Sequence, residues 1–536
     1  MDIWSWICEL PDSVQWSESD SAQIFEIASS SPKLAGNYQS TRTIQLRAER
    51  TAGSNSDLLV TFSICLHGFH PNSASKTLWV SDTCPLNSDK PFLPLFLQLL
   101  QEIITRSPMA QNSTCPRSQL QKLKPDPISW IMDSHSPESF SSFFNLVFLT
   151  RLFWLCVCDA PSEVGSFYFE SLLGPNLEAL SSEKGPVLRT FLVTVGVDAE
   201  LCFMRTIGYM LTKWLILKQV GSGLHLLGPL VGQQVRFSYA TEAHGFWVLK
   251  GYAPILAMNV AKCSGNYKFP VIEARDSVLK YALAHQQLEA VIQLEYSVTF
   301  SDGYIRVIAR VDNLRFHVAK LGFNRKEDVD YAEERHFVSR ARVWAGPEVG
   351  ATYVVGFSLG RSTDNGEREV EMQRVRKGNF DEESKAPKVK TRAKMATRTR
   401  IKNWRWDQDA EGNSVIFDAV LYNDTGYEVA TWKMMNNDVS DGSNNNGNSN
   451  NSRNRYNWNG HRRPFTKTRG MVFAGDEYGE GVEWRLNKEM EGSVLKWRIG
   501  GQVWVSYWPS EVKSSYFETR CVEWCDEVDL PLIPGK

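Results

Sequence analysis

"LEAVIQLEYSVTFSDGYIRVIARVDNL", Leu288 to Leu314, decides how the C-terminal half of the chain folds. Ala290, Ile292, Leu294, Tyr296, Val298 and Phe300 fall on one side of a period-two pattern. Glu289, Gln293, Glu295, Ser297 and Thr299 fall on the other. Asp302-Gly303 supplies a two-residue turn, since both central positions of a type I′ turn need positive φ. Ile305, Val307, Ala309 and Val311 then return on the apolar side, opposite Arg306 and Arg310. A hairpin with one wet face belongs in an antiparallel sheet.

The same grammar runs to the C-terminus. "RIKNWRW" precedes the turn Asp409-Ala410-Glu411-Gly412, and "NSVIFDAVLY" precedes Asn423-Asp424-Thr425-Gly426. "VEWRLNK", "SVLKWRI" and "QVWVSYW" are separated by Glu491-Gly492 and Gly500-Gly501, both read as turns. Residues 231–536 are therefore expected to form a large antiparallel β-sandwich or open barrel. An Asn/Ser/Gly tract at 436–460 has almost no apolar residues and reads as a disordered loop inserted in it.

Working back toward the N-terminus, residues 1–230 mix both signals. Thr41–Arg50 and Leu58–Leu66 read as strands, and Phe92–Arg106 as an apolar helix. Another helix starts at Asp198 and carries Leu201, Met204, Ile207, Leu211 and Leu215 near helical spacing. The predicted fold class is α+β, with the mixed N-terminal region packed on the β-rich half. The most apolar run, Phe140 to Pro161, nearly has the length of a membrane span, but Arg151 falls in its middle. A central Arg opposes insertion. Ser136-Pro137-Glu138 supplies a cap, a proline at the first helical position and an acid in the first turn. A buried core helix is favoured over membrane association.

With 536 residues and a net charge of −2, the chain as a whole is not built to bind polyanions. The N-terminus lacks a basic region followed by an uninterrupted apolar run, so secretion is not expected. Ten cysteines, most in apolar stretches, read as reduced, packed thiols of an intracellular protein, cytoplasmic or nuclear. His67-x2-His70 and Cys521-x3-Cys525 have ligand-like spacing, but neither has a second pair nearby. No cofactor and no structural metal is expected.

Three patterns invite chemistry. Gly356-Phe357-Ser358-Leu359-Gly360 spells the G-x-S-x-G of a nucleophile elbow. An elbow needs a helix immediately after the serine, whereas Asp364-Asn365-Gly366 marks a turn and the sequence beyond it alternates. Ser358 is thus a weak catalytic candidate, and strand bulges explain the glycines more simply. Asp407, Asp409, Glu411 and Asp418, with Gly412, follow the spacing of a calcium loop. The flanks are strands and the last ligand is Asp, so an acidic hairpin turn is favoured.

The third pattern is the basic stretch up to Trp406. Lys388, Lys390, Arg392 and Lys394 alternate with small or apolar residues; after a one-step slip, so do Arg398, Arg400 and Lys402. Trp404 and Trp406 follow as candidate stacking surfaces. The simpler reading is an edge strand guarded against pairing by its cations. The functional reading is a surface for an acidic protein or other acidic partner, with nucleic acid as the alternative. The C-terminal tryptophans Trp484, Trp497, Trp504, Trp508 and Trp524 are assigned to core packing rather than sugar stacking. The sequence therefore leans away from an enzyme and toward an intracellular interaction or scaffold protein. The competing class is a hydrolase using Ser358 or a carbohydrate-active or carbohydrate-binding sandwich.

Overall fold

A computed structural model describes residues 2–11, 22–30, 41–52, 58–69, 75–110, 122–176, 185–221, 236–256, 285–322, 335–360, 369–377, 392–400, 404–422, 470–474, 481–508 and 519–534. The chain divides into two compact units. The first comprises Met1–Tyr239, Lys250–Ala290 and Val318–Arg335, and the second Ala240–Leu249, Val291–His317 and His336–Lys536. The Asn-rich tract 436–460 and the boundary expected near residue 230 lie outside the described residues.

The first unit begins with an antiparallel sheet of β1 (Ala22–Ser29), β2 (Thr43–Ala52), β3 (Leu58–His67) and β4 (Lys76–Val80), in that order. The short β5 (Cys84–Pro85) also pairs with β3. The β2–β3 ladder, from Thr43↔His67 to Ala52↔Leu58, is the pair the sequence predicts. Gly68 closes β3 at φ +73°, where a Cβ would lie 2.4 Å from the Thr41 carbonyl oxygen. Only glycine fits that corner.

Seven α-helices are described: α1 (Ile3–Cys8), α2 (Leu93–Arg106), α3 (Pro125–Ser134), α4 (Pro137–Phe153), α5 (Ser162–Tyr168), α6 (Pro186–Thr194) and α7 (Val197–Gly221). Helix α4 starts as its sequence dictates, with the Ser136 hydroxyl accepting from the Ser139 N–H and Pro137 in the first turn. It continues through a π-turn at Trp154–Cys158. Phe96 on α2 packs against Phe140, Phe143 and Phe144 at centroid distances of 5.1, 5.7 and 5.6 Å. Aromatic pairs at such spacing add to the energy of burial itself.

The segment Pro137–Cys158 is long and apolar enough to cross a membrane, yet 89% of its most apolar window is buried inside the protein. Arg151 lies in that apolar helix at 3% exposure. Its guanidinium is paired with the Glu102 carboxylate on α2 and lies over the Trp79 ring. Glu102 also accepts the Trp79 indole N–H and the Gln98 amide. The arginine that argued against a membrane span is thus neutralised by a neighbouring helix.

Helix α7 meets its strands through polar groups. These strands are β7 (Phe237–Ala243), β8 (Phe246–Leu256) and β9 (His285–Phe300). Glu200 is 1% exposed and accepts from the hydroxyls of Tyr239 and Tyr252 and, at 2.6 Å, from Lys250. Burial, reinforced by the Glu200 carboxylate, holds both phenols well above their ordinary pKa. One turn on, Arg205 donates to Glu289 at 2.8 and 3.1 Å. Then Gly208 lets the Gln287 amide approach to 1.9 Å of where a Cβ would sit.

The remaining strands are β6 (Met109–Ala110), β10 (Tyr304–Gly322), β11 (Arg335–Pro347), β12 (Val354–Ser358), β13 (Glu369–Lys377), β14 (Arg392–Arg400), β15 (Trp404–Glu411), β16 (Ser414–Leu421), β17 (Gly470–Ala474), β18 (Val482–Asn487), β19 (Val494–Trp508) and β20 (Thr519–Pro531). One sheet runs β12-β18-β10-β9-β8-β7, with β17 and β6 also pairing with β10. A second runs β15-β16-β11-β19-β20, and β13 and β14 form a sheet of two. The β9–β10 hairpin turns where Asp302-Gly303 requires. The fold is α+β with sandwich-like antiparallel sheets, and no closed barrel is present among the described residues.

In the second unit the two larger sheets meet through tryptophan. Trp497 on β19 lies 5.3 Å from Trp247 and 4.8 Å from Trp484, ring centre to ring centre. All three are fully buried. The expected turn at Gly500-Gly501 is absent, because β19 passes straight through both residues. A Cβ on Gly500 would meet the Trp344 ring at 2.2 Å, and one on Gly501 the Ile292 Cδ1 at 2.6 Å. The glycines mark close approach within a strand, the other physical reason for glycine in a sheet.

Two stability outcomes follow. Glu102→Ala strips the partner from a buried guanidinium. It should cost about 3 kcal/mol in urea unfolding, the low end for a broken buried pair because Glu102 keeps some solvent contact. Arg151→Met combined with Glu102→Gln should recover most of that loss. Burial, with the Arg520 guanidinium adding to it, holds the His336 imidazole down from 6.5 to about 4. A depressed folded pKa contributes stability above the unfolded value and loses it as pH falls from 6.5 toward about 4. Melting temperature should decline across that window, and His336→Gln should decline less.

Candidate functional site

Ser358 is the last residue of β12, the outermost strand of its sheet, and is exposed. It stands opposite Glu483 on β18, and Phe357 opposite Trp484. A register shift between Val354 and Gly356 marks a bulge, as the glycine suggested. Leu359 and Gly360 are not helical, so no helix begins directly after the serine. Glu483 is engaged by Arg306 at 2.6 Å and Arg485 at 3.1 Å. These ion pairs hold its carboxyl below its ordinary pKa. The geometry around Ser358 is that of a bulged sheet edge rather than a sharp strand-to-helix turn.

The acidic turn is a tight β15–β16 hairpin, with Glu411 opposite Ser414 and Gly412 at φ +60°. Asp407, Asp409 and Glu411 lie along β15, with Asp407 and Glu411 exposed and Asp409 exposed beside them. Asp418 stands opposite Asp407. It accepts from the Arg340 Nε at 2.9 Å and from the Arg342 Nη2 at 2.9 Å, and is further paired with the Arg340 terminal nitrogen. These hydrogen bonds outweigh its partial burial and hold its carboxyl low. Both guanidinium groups also lie over the Trp504 ring, at 5.0 and 5.9 Å. Asp418 is thus the anchor of an Arg–Trp cluster, and among the described residues no group of three or more candidate ligands could hold a metal ion.

The basic stretch divides. Lys388, Lys390 and Lys402 lie outside the described residues, while Arg392, Lys394, Arg398 and Arg400 lie on β14. Trp406 is 5% exposed and faces the sandwich core, so it offers no stacking surface. Trp404 is half-buried on the edge strand β15. The β13–β14 register sorts the charges. Arg400 stands opposite Glu369 and Arg398 opposite Glu371. The last four rungs, Arg374↔Met395 to Lys377↔Arg392, hold Arg374, Arg376, Lys377, Arg392 and Lys394 and no acid. The sequence reading missed Arg374, Arg376 and Lys377; "RVRK" was the signal, but only the pairing sets Lys377 opposite Arg392, with Arg374 and Arg376 opposite Met395 and Ala393.

Other nucleophile candidates are muted. Burial pushes the Cys84 thiol up to about 11 and the Cys156 thiol up to about 12, which keeps both as thiols at neutral pH. For the acidic turn, millimolar calcium should leave the melting temperature unchanged in differential scanning fluorimetry. A rise of several degrees that disappears in Asp407→Asn would show a calcium site there after all.

No family model matches the sequence, and no curated protein matches it. Among solved structures, the chain is similar over 55% of its length to 96% of Clostridium perfringens delta-toxin, at 8% identity and a TM-score of 0.20. It is likewise similar over 55% of its length to 94% of the Clostridium perfringens NetB toxin in its membrane-inserted form, at 9% identity and a TM-score of 0.16. TM-scores at this level transfer neither fold nor activity.

Proposed function

We propose that this is a non-catalytic intracellular interaction protein whose binding surface is the basic end of the β13–β14 hairpin. The partner is an acidic macromolecule. The observation that carries this reading is the register, whose last four rungs hold five cations and no acid: Lys377, Arg392 and Lys394 at positions of one face, Arg374 and Arg376 at positions of the other. A chain with net charge −2 has no general affinity for polyanions, so a local patch of this kind must supply any attraction. The patch also fits an edge-strand guard, but a guard needs only one charged row. Here both strands contribute at the same end. The rest of the described surface gives the competing enzyme reading less: Ser358 sits on a bulged strand, and Asp418 is committed to two arginines.

Retention on a heparin column tests the reading. Neutralising the unmatched end, in Arg392→Gln with Lys394→Gln, should shift elution to clearly lower salt. Neutralising Arg398→Gln with Arg400→Gln, at the end matched by glutamates, should shift it less. Each cation withdrawn from a polyanion lowers the salt dependence of binding by about one ion. Equal elution of both variants and the parent protein would remove the hairpin from consideration.

A further inference from the structure

We infer that the outer face of the sheet β15-β16-β11-β19-β20 binds a neutral sugar, with Trp344 as the platform on which a pyranose ring stacks. This surface lies in the second unit and shares no residue with the β13–β14 hairpin. The inner face of these strands is core: Ala341, Val343, Phe417, Trp497 and Val503 are buried. Their alternate residues point outward. Trp344, Asp418, Gln502 and Trp504 are half-buried there, and Glu523 is exposed. The sequence assigns Trp504 to the core, but it stands on this outer face.

Glycine sets the platform. A Cβ on Gly500 would lie 2.2 to 2.7 Å from three atoms of the Trp344 indole. The ring therefore rests against bare backbone of β19, while the residue keeps part of its surface in solvent. An indole face carries partial negative charge, which the C–H groups on one side of a pyranose complement. Polar groups stand beside it in fixed positions. Arg340 and Arg342 each grip Asp418 through Nε and Nη2. Both guanidinium groups also lie over the Trp504 ring. Gln502 donates to Glu523 at 3.1 Å. Arg342 and Trp344 are two residues apart on one strand face, about 6.8 Å. One sugar ring with its hydroxyl groups bridges that separation.

Charge decides what the face takes. The cross-strand rows through Arg340, Arg342 and Trp344 hold three cations and four acids. The cations are Arg340, Arg342 and Arg405; the acids are Asp407, Asp409, Asp418 and Glu523. Without an excess of cations, the face has no field to draw a polyanion. The centre of a protein interface is depleted of charge, which this face is not. Mixed donors and acceptors beside an indole match sugar hydroxyls, which both donate and accept.

The test uses the full chain and saturation-transfer NMR, with cellotetraose, maltotetraose and lactose as probes. At least one should receive saturation from the protein. Trp344→Ala should weaken that binding at least tenfold. Arg342→Lys should weaken it as well, because it keeps the charge and loses the planar fork. A second measurement needs no variant. The bound sugar should protect Trp344 from N-bromosuccinimide, read by peptide mass spectrometry, while exposed Trp130 on α3 stays reactive. If none of the three sugars receives saturation, or if Trp344 is oxidised equally fast with and without sugar, the inference falls. If heparin protects Trp344 and the sugars do not, the occupant is a polyanion and the inference is overturned. Elution of the Arg392 and Lys394 variant from heparin tests the hairpin alone, so the two readings fail separately.

Discussion

The second unit depends on how closely its two sheets can approach. Trp497 fills the space between Trp247 and Trp484, and Gly501 gives up its side chain so that Ile292 can come in from the facing sheet. A side chain at residue 501 would hold the sheets apart and open gaps around the rings, and interiors tolerate gaps poorly. With that approach made, β19 runs unbroken for fifteen residues. It then supports β20 on one side and β11 on the other. Strand β11 in turn supplies Arg340 and Arg342 to Asp418. The acidic turn that looked like a ligand set is thus held in its present role by packing decided elsewhere in the sheet.

Much of this fold was legible in the sequence, and what was not has physical reasons. Alternation of period two reports local geometry, so Leu288–Leu314 gave its hairpin directly. The cap at Ser136 and the proline at 137 gave the start of α4. Gly500-Gly501 misled because glycine has two structural uses, a turn or a close approach, and only the neighbours Trp344 and Ile292 distinguish them. Arg151 was visible as an anomaly, but Glu102 lies forty-nine positions away, and no local pattern reports that separation. Strand β1 was not anticipated, since its residues alternate only weakly between buried and exposed.

The candidate surface shows the same division between local and non-local signals. The cations of β14 are plain in the sequence. Their partition into a matched end and an unmatched end is a property of the pairing with β13, because Glu369 and Glu371 precede them by about thirty residues. The tryptophans that follow were read as platforms because sequence alternation does not say which face is inside. Burial assigns Trp406 to the core and leaves Trp404 half-buried on the edge strand β15.

The polar seam beneath α7 has a mechanical consequence. A helix held by an oily stripe can slide or roll by part of a turn and still bury comparable area, since the hydrophobic effect has no direction. Hydrogen bonds and ion pairs do have direction. Glu200, Arg205 and Gly208 each match a different strand residue, at different heights along the helix. Any shift of α7 along its axis, or any rotation about it, breaks all three together. The seam therefore works as a key with three teeth: it admits the helix in a single phase and leaves no nearby alternative in which to rest.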